Sequence, residues 1–485
     1  MSSQTSAPPP RGTLTAPKIV FFVIAATAPM AAMVATVPFG FALGTGPGMP
    51  AAYVLAGVTM LCFVSGYAAM SRKIVHAGAL YSYIRAGLGR IPGAAAAWLA
   101  LLSYNVMTVG LIGAFAHFAD LIVAAPAVTW HWYAAAVLAL VAVLGRRQIE
   151  MSAWMLGIVM MAEIAILLVM DIGIVSHRGA EALPAVSFSP DVALGAGIGA
   201  ALTFAFTSFT GIESAALYGE EARDARRSVS LAVCWSVVII AVFYGLTSWL
   251  AVGGVGPDHV RSRAGEEGGE LFFSLNTQYT SAGLTDVMAL LLVTSFLAST
   301  LAMHNATSRY LYALGRERLL PRWLGVTHTK HGSPHRASAA QSVLAVLLVG
   351  GFALAGLDPY MNLATSMVSL GTLGIMVLLL GTSVAVLVYF ARHRADRHWW
   401  NTTLAPALAL GGLGTAMVLI LQNYAHLTGT HSTVVNTLPY LIVLAAVVGA
   451  ARALWLRKHH PHAYRALDPK SVSTDIHEHG QPATH

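Results

Sequence analysis

Residues 203–227 read TFAFTSFTGIESAALYGEEARDARR. An apolar run carries four hydroxyls, Thr203, Thr207, Ser208 and Thr210, then Gly211 and the carboxylate Glu213, before it ends in a dense charge cluster. The 485-residue chain is 56% hydrophobic and 10% charged, against about 25% charged in an ordinary soluble domain. Its solvent is therefore lipid, and residues 203–219 lie in a membrane span. A charged side chain at mid-bilayer costs at least about 2.5–3.5 kcal/mol on the mildest scale. A span that holds Gly211 and Glu213 together reads as an interrupted helix whose polar groups line a cavity.

A membrane helix needs about 20 mostly apolar residues, and twelve such segments follow from the hydropathy: 18–46, 50–70, 92–124, 130–145, 151–175, 192–219, 229–254, 284–313, 337–357, 361–391, 403–422 and 436–457. With the N-terminus inside, all of the 28 Lys and Arg except Arg178, Arg261 and Arg263 fall on the cytoplasmic side or at cytoplasmic helix ends, as the positive-inside rule asks. The net charge of +7 thus reports topology and gives no reason to expect nucleic-acid binding. Residues 1–17 and 458–485 are polar and read as a disordered cytoplasmic arm and tail, so both termini are expected inside a multi-pass protein of the plasma membrane. The arm has no apolar core of the signal-peptide kind. The external loop 255–283 contains GELFFSLNTQYTSAG, amphipathic enough for a short helix over the external face. Cys62 and Cys234 both sit in apolar runs, which suggests neither a disulfide framework nor a metal cluster. No metal and no cofactor is expected.

Two spans look broken. The first, IVFFVIAATAPMAAMVATVPFGFALG, has Pro29 near its middle, and a mid-helix proline removes one backbone hydrogen bond and obstructs another. The sixth has Gly211, and from Asp191 to Glu220 it would run about 43 Å at roughly 1.5 Å per residue, longer than the roughly 30 Å hydrocarbon core. Interrupted spans at matching places of two halves mark a transporter site. Spans one and six are five apart, so the expectation is an all-α, five-plus-five inverted repeat. Repeat one covers about 18–175 and repeat two about 192–391, with extra helices over about 403–457. A plain proline kink with a packing glycine is the alternative.

Three stretches resemble the amino acid–polyamine–organocation permeases. FTSFTGIESAALYGEEARDARRSV is similar to that family's sixth-span signature, and HAGALYSYIRAGLGR to the segment that opens its third helix. ATSRYLYALGRERLLPRWLGVTHTKHGSPHRA, with Arg309, Tyr312 and Arg316, resembles its eighth-span exit loop. The likeness extends over about 18–457 and implies a leucine-transporter-like fold. Two departures stand out. The first break is Ala28-Pro29-Met30-Ala31-Ala32 where many members have a Gly-Ser-Gly-like run, and ARDARRSV lacks the proline that often follows the acidic pair.

The breaks themselves, Ala28 to Ala32 and Thr207, Ser208, Phe209, Thr210 and Gly211, are the expected substrate contacts; Phe204, Phe206 and Phe209 could form an aromatic lid, Phe209 being the best candidate, or face lipid or the core. Glu213 is a gate or substrate-sensing carboxylate, or a cap for the second half-helix. Glu163 is the thirteenth residue of the run Met151–Val175, so it lies near mid-membrane. Some relatives place a sodium-replacing lysine there, and the resemblance implies proton coupling at Glu163; a packing carboxylate is the alternative. Asp171 reads as interfacial. Asn105 resembles a substrate-contacting asparagine of the third span, or is a helix-packing amide. Ser299 and Thr300 sit where sodium-coupled members place two hydroxyl ligands, or bond their own helix, and His304 reads as a packing residue. Glu220, Glu221 and Arg223 are expected at the cytoplasmic end, in reach of Arg72 or Lys73 as an inner gate.

The leading expectation is a secondary transporter that imports an amino acid with protons, sodium being the less favoured ion. A polyamine or other amine carrier, with Glu213 as the ammonium partner, is the alternative, and a non-transporting nutrient sensor a more distant one. No G-x-x-x-x-G-K-[ST] loop occurs, so the chain has no phosphate cradle for ATP. Nor does the sequence cluster a nucleophile or metal set of the kind a membrane enzyme would need.

Overall fold

The computed structural model describes residues 15–74, 79–147, 153–213, 215, 225–327, 334–393, 396–422, 424 and 433–467. Among these residues the fold is all-helical. Nine helices are long and apolar enough to cross a membrane, and three shorter apolar helices join them, Pro29–Ala42, Trp130–Arg146 and Ile198–Thr207. Together they fall on the twelve spans read from the hydropathy.

The first span is two helices, α1 (Ala16–Thr27) and α2 (Pro29–Ala42). Between them Ala28 has φ 47° and ψ 76°, the left-handed region, which costs roughly 1–2 kcal/mol for a residue with a Cβ. Pro29 explains the position. Its ring disfavours helical backbone at the residue before it, and as the first residue of α2 its missing N–H costs nothing. One proline therefore ends one helix and starts the next.

The remaining spans are α3 (Met49–Ser71), α4 (Ala79–Leu88) leading into α5 (Arg90–Val123), α6 (Trp130–Arg147), α7 (Ala153–Arg178), α8 (Ile198–Thr207) and α9 (Ala225–Val255). After two short loop helices, α10 (Val260–Glu267) and α11 (Leu271–Tyr279), come α12 (Ala282–Arg316), α13 (His335–Leu354), α14 (Thr365–Arg392, preceded by a wide turn Pro359–Ala364), α15 (Ala405–Gln422) and α16 (Tyr440–His459). The side of the molecule where α1 begins is termed the N-terminal face below.

The sixth span departs from expectation in detail. Its helix α8 stops at Thr207, a turn follows over 208–211, and Gly211 closes that turn with φ 110°. The break therefore precedes Gly211, and the glycine supplies the positive φ that a Cβ would make strained. The length count from Asp191 also overestimated the helix. Pro190–Ala193 forms a separate short turn, and Gly197, at φ 93°, starts α8 afresh. Glu220, Glu221 and Arg223 lie outside the described residues.

Like-placed spans of the two halves pack on each other: α3 on α9, second in each, and α5 on α12, third in each. This pairing fits an inverted repeat. The loop segment expected to lie over the far face forms α10 and α11, with Leu271, Phe272 and Leu275 buried. Arg261 donates to the Gly44 carbonyl at 2.8 Å and fastens that loop to the end of α2. On the N-terminal face Lys73 pairs with Asp396 at 2.5 Å. Arg72 bonds the Ala68 carbonyl of its own helix. After α16 a short helix, Pro461–Ala466, puts the Tyr464 ring 5.1 Å from the Arg90 guanidinium.

The meeting of Gly44 and Gly197 joins the two broken spans at their ends away from the N-terminal face. A Cβ on Gly197 would stand 2.5 Å from the Gly44 carbonyl oxygen. Gly197→Ala should therefore destabilise the fold by about 1–3 kcal/mol, the usual cost of a strained backbone site, seen as a lower melting temperature of the detergent-purified protein; an unchanged melting temperature would show that the contact relaxes freely.

Candidate substrate site between two helix breaks

The break at Ala28 leaves the first N–H groups of α2 without helical partners, a general property of helix starts. Pro29 has no N–H, and the next donor, Met30 N, points to Glu163 Oε2 at 3.3 Å. The same oxygen accepts from the Ser295 hydroxyl of α12 at 3.0 Å. Glu163, buried at 3% exposure, thus ties α7, the first break and α12 together. The sequence placed it mid-membrane; its contact with the break comes from the fold.

The second break holds Glu213 in a different way. Its Oε2 accepts from Gly211 N at 3.0 Å and its Oε1 from the Tyr104 hydroxyl at 2.6 Å, while its own carbonyl accepts from Tyr67 at 3.3 Å. Tyr104 stacks on Tyr310 at 5.0 Å, and Tyr67 meets Tyr83 edge-on at 5.2 Å. Closer to the N-terminal face, Glu317 accepts from Arg85 at 3.2 Å and from Tyr81 at 3.4 Å. A buried tyrosine–carboxylate cluster therefore closes the N-terminal side of the breaks, and Glu213 accepts from the turn at Gly211, while the second half-helix it was read to cap lies outside the described residues.

On the other side of the breaks lies a cavity of about 100 Å³. The first span contributes Thr27, Ala28, Ala31, Ala32, Thr36 and Phe39, and the sixth Phe204, Thr207, Ser208 and Thr210. Met107 of α5, Phe296 and Ser299 of α12, and Tyr360, Thr365 and Ser369 around the start of α14 complete the wall. None of the lining residues is Asp, Glu, Lys, Arg or His. At the end away from the N-terminal face, Phe39 stacks on Phe204 at 5.7 Å and leans on Tyr360 at 4.9 Å. The Tyr360 hydroxyl donates to the Ala35 carbonyl at 2.9 Å.

The expected residues divide accordingly. Ala28, Ala31, Ala32, Thr207, Ser208 and Thr210 reach the cavity, and Ser299 does as well. Pro29 and Met30 shape the break from behind. Phe209 is buried toward α3, where its ring lies 3.9 Å from a Cβ built on Gly57, and Phe204, another of the aromatic lid candidates, lines the cavity beside Phe39. Gly211 and Glu213 sit below the cavity floor. Asn105 turns its amide back to the Leu101 carbonyl at 2.7 Å. Thr300 bonds the Phe296 carbonyl and Ser299 the Ser295 carbonyl, both at 2.7 Å, so each hydroxyl donates within its own helix. His304 meets Ser338 of α13 at 3.0 Å, a packing contact. Asp171, read as interfacial, is buried against protein: it is 4% exposed and accepts from Thr247 of α9 at 2.7 Å. Phe39, Tyr360, Thr365 and Ser369 escaped the sequence reading, although Ala28, Ala32, Thr36 and Phe39 follow the one-face spacing of a helix.

A family model described as amino acid permease matches residues 15–461. The chain belongs to that family, within the amino acid–polyamine–organocation superfamily. The permease is 22% identical to the methylthioribose transporter of Bacillus subtilis (strain 168) over 397 residues, 78% of this chain and 81% of the relative. It is 26% identical to the low-affinity putrescine importer PlaP of Escherichia coli (strain K12) over 379 residues, 75% and 78% of the two chains. It is 24% identical to the branched-chain amino acid permease BcaP of Bacillus subtilis (strain 168) over 375 residues, 72% and 74%. The permease is a multi-pass membrane transporter of small molecules and not an enzyme.

Tyr104→Phe removes one hydroxyl donor from a buried carboxyl group and keeps the ring stacking. A hydrogen bond to a charged group contributes about 1.5–3 kcal/mol, so the variant should melt at a lower temperature than the parent. No change on thermal unfolding would mean that the Tyr104–Glu213 bond contributes nothing to stability.

Proposed function

We propose that the permease imports a small zwitterionic amino acid across the cell membrane by proton symport, with both termini in the cytoplasm. The observation that carries this reading is a cavity between two helix breaks that, among the described residues, no charged side chain lines. A helix end carries about half an elementary charge, positive at the N-terminus and negative at the C-terminus. Here α1 and α8 end at the cavity with their carbonyl ends, and α2 begins there with its N–H end. Such ends suit an ammonium and a carboxylate on one small molecule, as in transporters built on broken helices. A cation with two or more ammonium groups finds no carboxylate among the described lining residues, and Glu213, the alternative ammonium partner, is engaged by Tyr104 and Gly211. The volume of about 100 Å³ lies below the roughly 300–1,000 Å³ of clefts for drug-sized ligands, which favours a compact solute.

Glu163 supplies the coupling. As a carboxylate it holds Met30 N–H and fixes α2 against α7 and α12. A proton on Oε2 removes the charge and weakens that acceptor, so α2 is freed to move against α7. Proton and substrate then act on the same break, one from behind and one from the front. Alternation of access follows if the aromatic group Phe39–Phe204–Tyr360 opens to one side and the Glu213–tyrosine cluster to the other. The positive-inside distribution of Lys and Arg supports placing the N-terminal face in the cytoplasm.

Uptake by purified protein in liposomes tests the substrate. A compact amino acid should be taken up, while putrescine and methylthioribose, the chemistries in the names of two relatives, should compete weakly. Ala31→Leu should lower affinity at least about tenfold, or about 1.4 kcal/mol, without loss of folding. Putrescine or methylthioribose outcompeting every amino acid, or Ala31→Leu binding normally, would overturn the assignment.

Coupling is tested separately in the same liposomes. Uptake should rise as external pH falls, because the proton is a co-substrate, and collapse with a protonophore. Glu163→Gln keeps an acceptor for Met30 N–H but cannot carry the proton, so its uptake should lose pH dependence. A requirement for a sodium gradient, with Glu163→Gln matching the parent, would make Glu163 a packing residue.

A further inference from the structure

Asp171 lies eight residues after Glu163 on α7, about 12 Å further from the N-terminal face at roughly 1.5 Å per residue. It is the second carboxyl group buried within this helix, and substrate binding as described above makes no use of it. Oδ2 accepts from the Thr247 hydroxyl at 2.7 Å. Oδ1 is buried without any hydrogen-bond partner. Thr247 itself is fully buried. A buried acceptor left unpaired costs about 1–3 kcal/mol, and more for a charged group. An ionisable side chain kept in a membrane span at that cost is by default a functional group.

Hydroxyls are spaced between Asp171 and the cavity, the last of them, Thr27, donating to the Ile24 carbonyl at 2.8 Å and so free to accept. Thr247 sits three residues beyond Tyr244 on α9, which puts the two side chains on neighbouring positions of one face. The Tyr244 hydroxyl lies 3.5 Å from the Thr27 hydroxyl. Thr27 lines the cavity and immediately precedes the break whose N–H Glu163 holds. The order along the membrane normal is therefore Asp171 and Thr247, then Tyr244, then Thr27 and the Glu163 tether.

The other ionisable groups on the elements packed against α7 leave Asp171 alone. Tyr279 of α11 gives its hydroxyl to the Gly254 carbonyl at 2.7 Å. Glu181, in the turn after α7, pairs with Arg178 at 3.7 Å. His177 bonds the Gly173 carbonyl at 2.8 Å, and Asp286 of α12 is exposed. Lys18 of α1 lies at the opposite end of the molecule, near the N-terminal face. The group nearest Asp171 in kind is Glu163 itself.

We propose that Asp171 is a second proton-carrying site, which takes the proton from the far aqueous phase and passes it toward Glu163. The step is a proton transfer only: Asp171 Oδ1 gains a proton and its carboxylate is neutralised. Along the file each hydroxyl oxygen accepts one proton and releases its own, with water admitted between Thr247 and Tyr244 and between Thr27 and Glu163 completing the path, until a proton reaches the Glu163 carboxylate. The proposal rests on the symport reading above and adds the route by which the proton enters.

Asp171→Asn separates this role from packing, because its amide oxygen can still accept from Thr247. Two assays on the same liposomes are compared: accumulation driven by an imposed pH gradient, and substrate exchange without a gradient. Asp171→Asn should lose gradient-driven accumulation by roughly a hundredfold, the lower part of the range for a positioned acid–base group, while exchange continues at the parental rate. Thr247→Val, which leaves the carboxyl in place, should shift the pH at which accumulation is half-maximal and spare exchange. Parental accumulation in Asp171→Asn, equal loss of both activities, or an unshifted pH profile in Thr247→Val would each overturn the proposal. A parent protein that ignores the pH gradient would instead overturn the symport reading, and the relay with it.

Discussion

A left-handed alanine held open by a carboxylate is the constraint on which the rest depends. Pro29 prevents the first span from continuing as one helix, and Ala28 absorbs the change of direction. The exposed N–H of Met30 then needs an acceptor at a depth where water is scarce, since a backbone group unpaired in the hydrocarbon costs several kcal/mol. Glu163 meets that need at 3.3 Å and shares its oxygen with Ser295. A break that would be a defect in an isolated helix becomes a joint among three spans. Because the acceptor is ionisable, this joint is where the proposed proton coupling would act.

The second break solves the same problem with different chemistry. Gly211 takes a backbone angle that other residues avoid, and Glu213 folds back onto its N–H. Tyrosines from α3, α5 and α12 close around it. The two carboxylates thus serve opposite ends of one arrangement, Glu163 behind the cavity and Glu213 beneath it. The cavity itself is left with hydroxyls, small side chains, aromatic rings and helix ends. In the proposed reading, helix ends rather than side chains meet the charges of the solute, which bears on selectivity. That arrangement would set the positions of both charged groups of the solute and leave the hydroxyls, small side chains and rings of the wall to contact the rest of it.

Much of this was legible in the sequence. Pro29 and Gly211 announced the breaks, since each residue has a direct backbone effect. Their five-span separation announced the repeat. Glu163 stood out because a carboxylate in the middle of MLGIVMMAEIAILLVMDIG has no cheap place to go. What remained hidden depends on rotation about helix axes. Asn105 is near the right depth on α5, but its amide reaches the carbonyl one turn back, an option open to any short polar side chain in a helix. Phe209 was favoured as a lid for its nearness to Gly211, yet the helix ends two residues before it, and the turn swings its ring toward α3. Phe204, still helical, faces the cavity instead. Tyr360 could not be placed at all, because its role comes from the wide turn that opens α14. Asp171 looked interfacial because α7 ends soon after it; burial against Thr247 is a matter of tertiary packing alone.

The central claim is that the solute sits at the two breaks, with its charges met by helix ends. The most direct test is an experimental structure of the protein with a bound amino acid. The account predicts density between Ala28–Ala32 and Thr207–Thr210, with the carboxylate toward the start of α2 and the ammonium toward the carbonyl ends of α1 and α8. A continuous first helix, or a ligand held by the Glu213 carboxylate beneath the breaks, would contradict it.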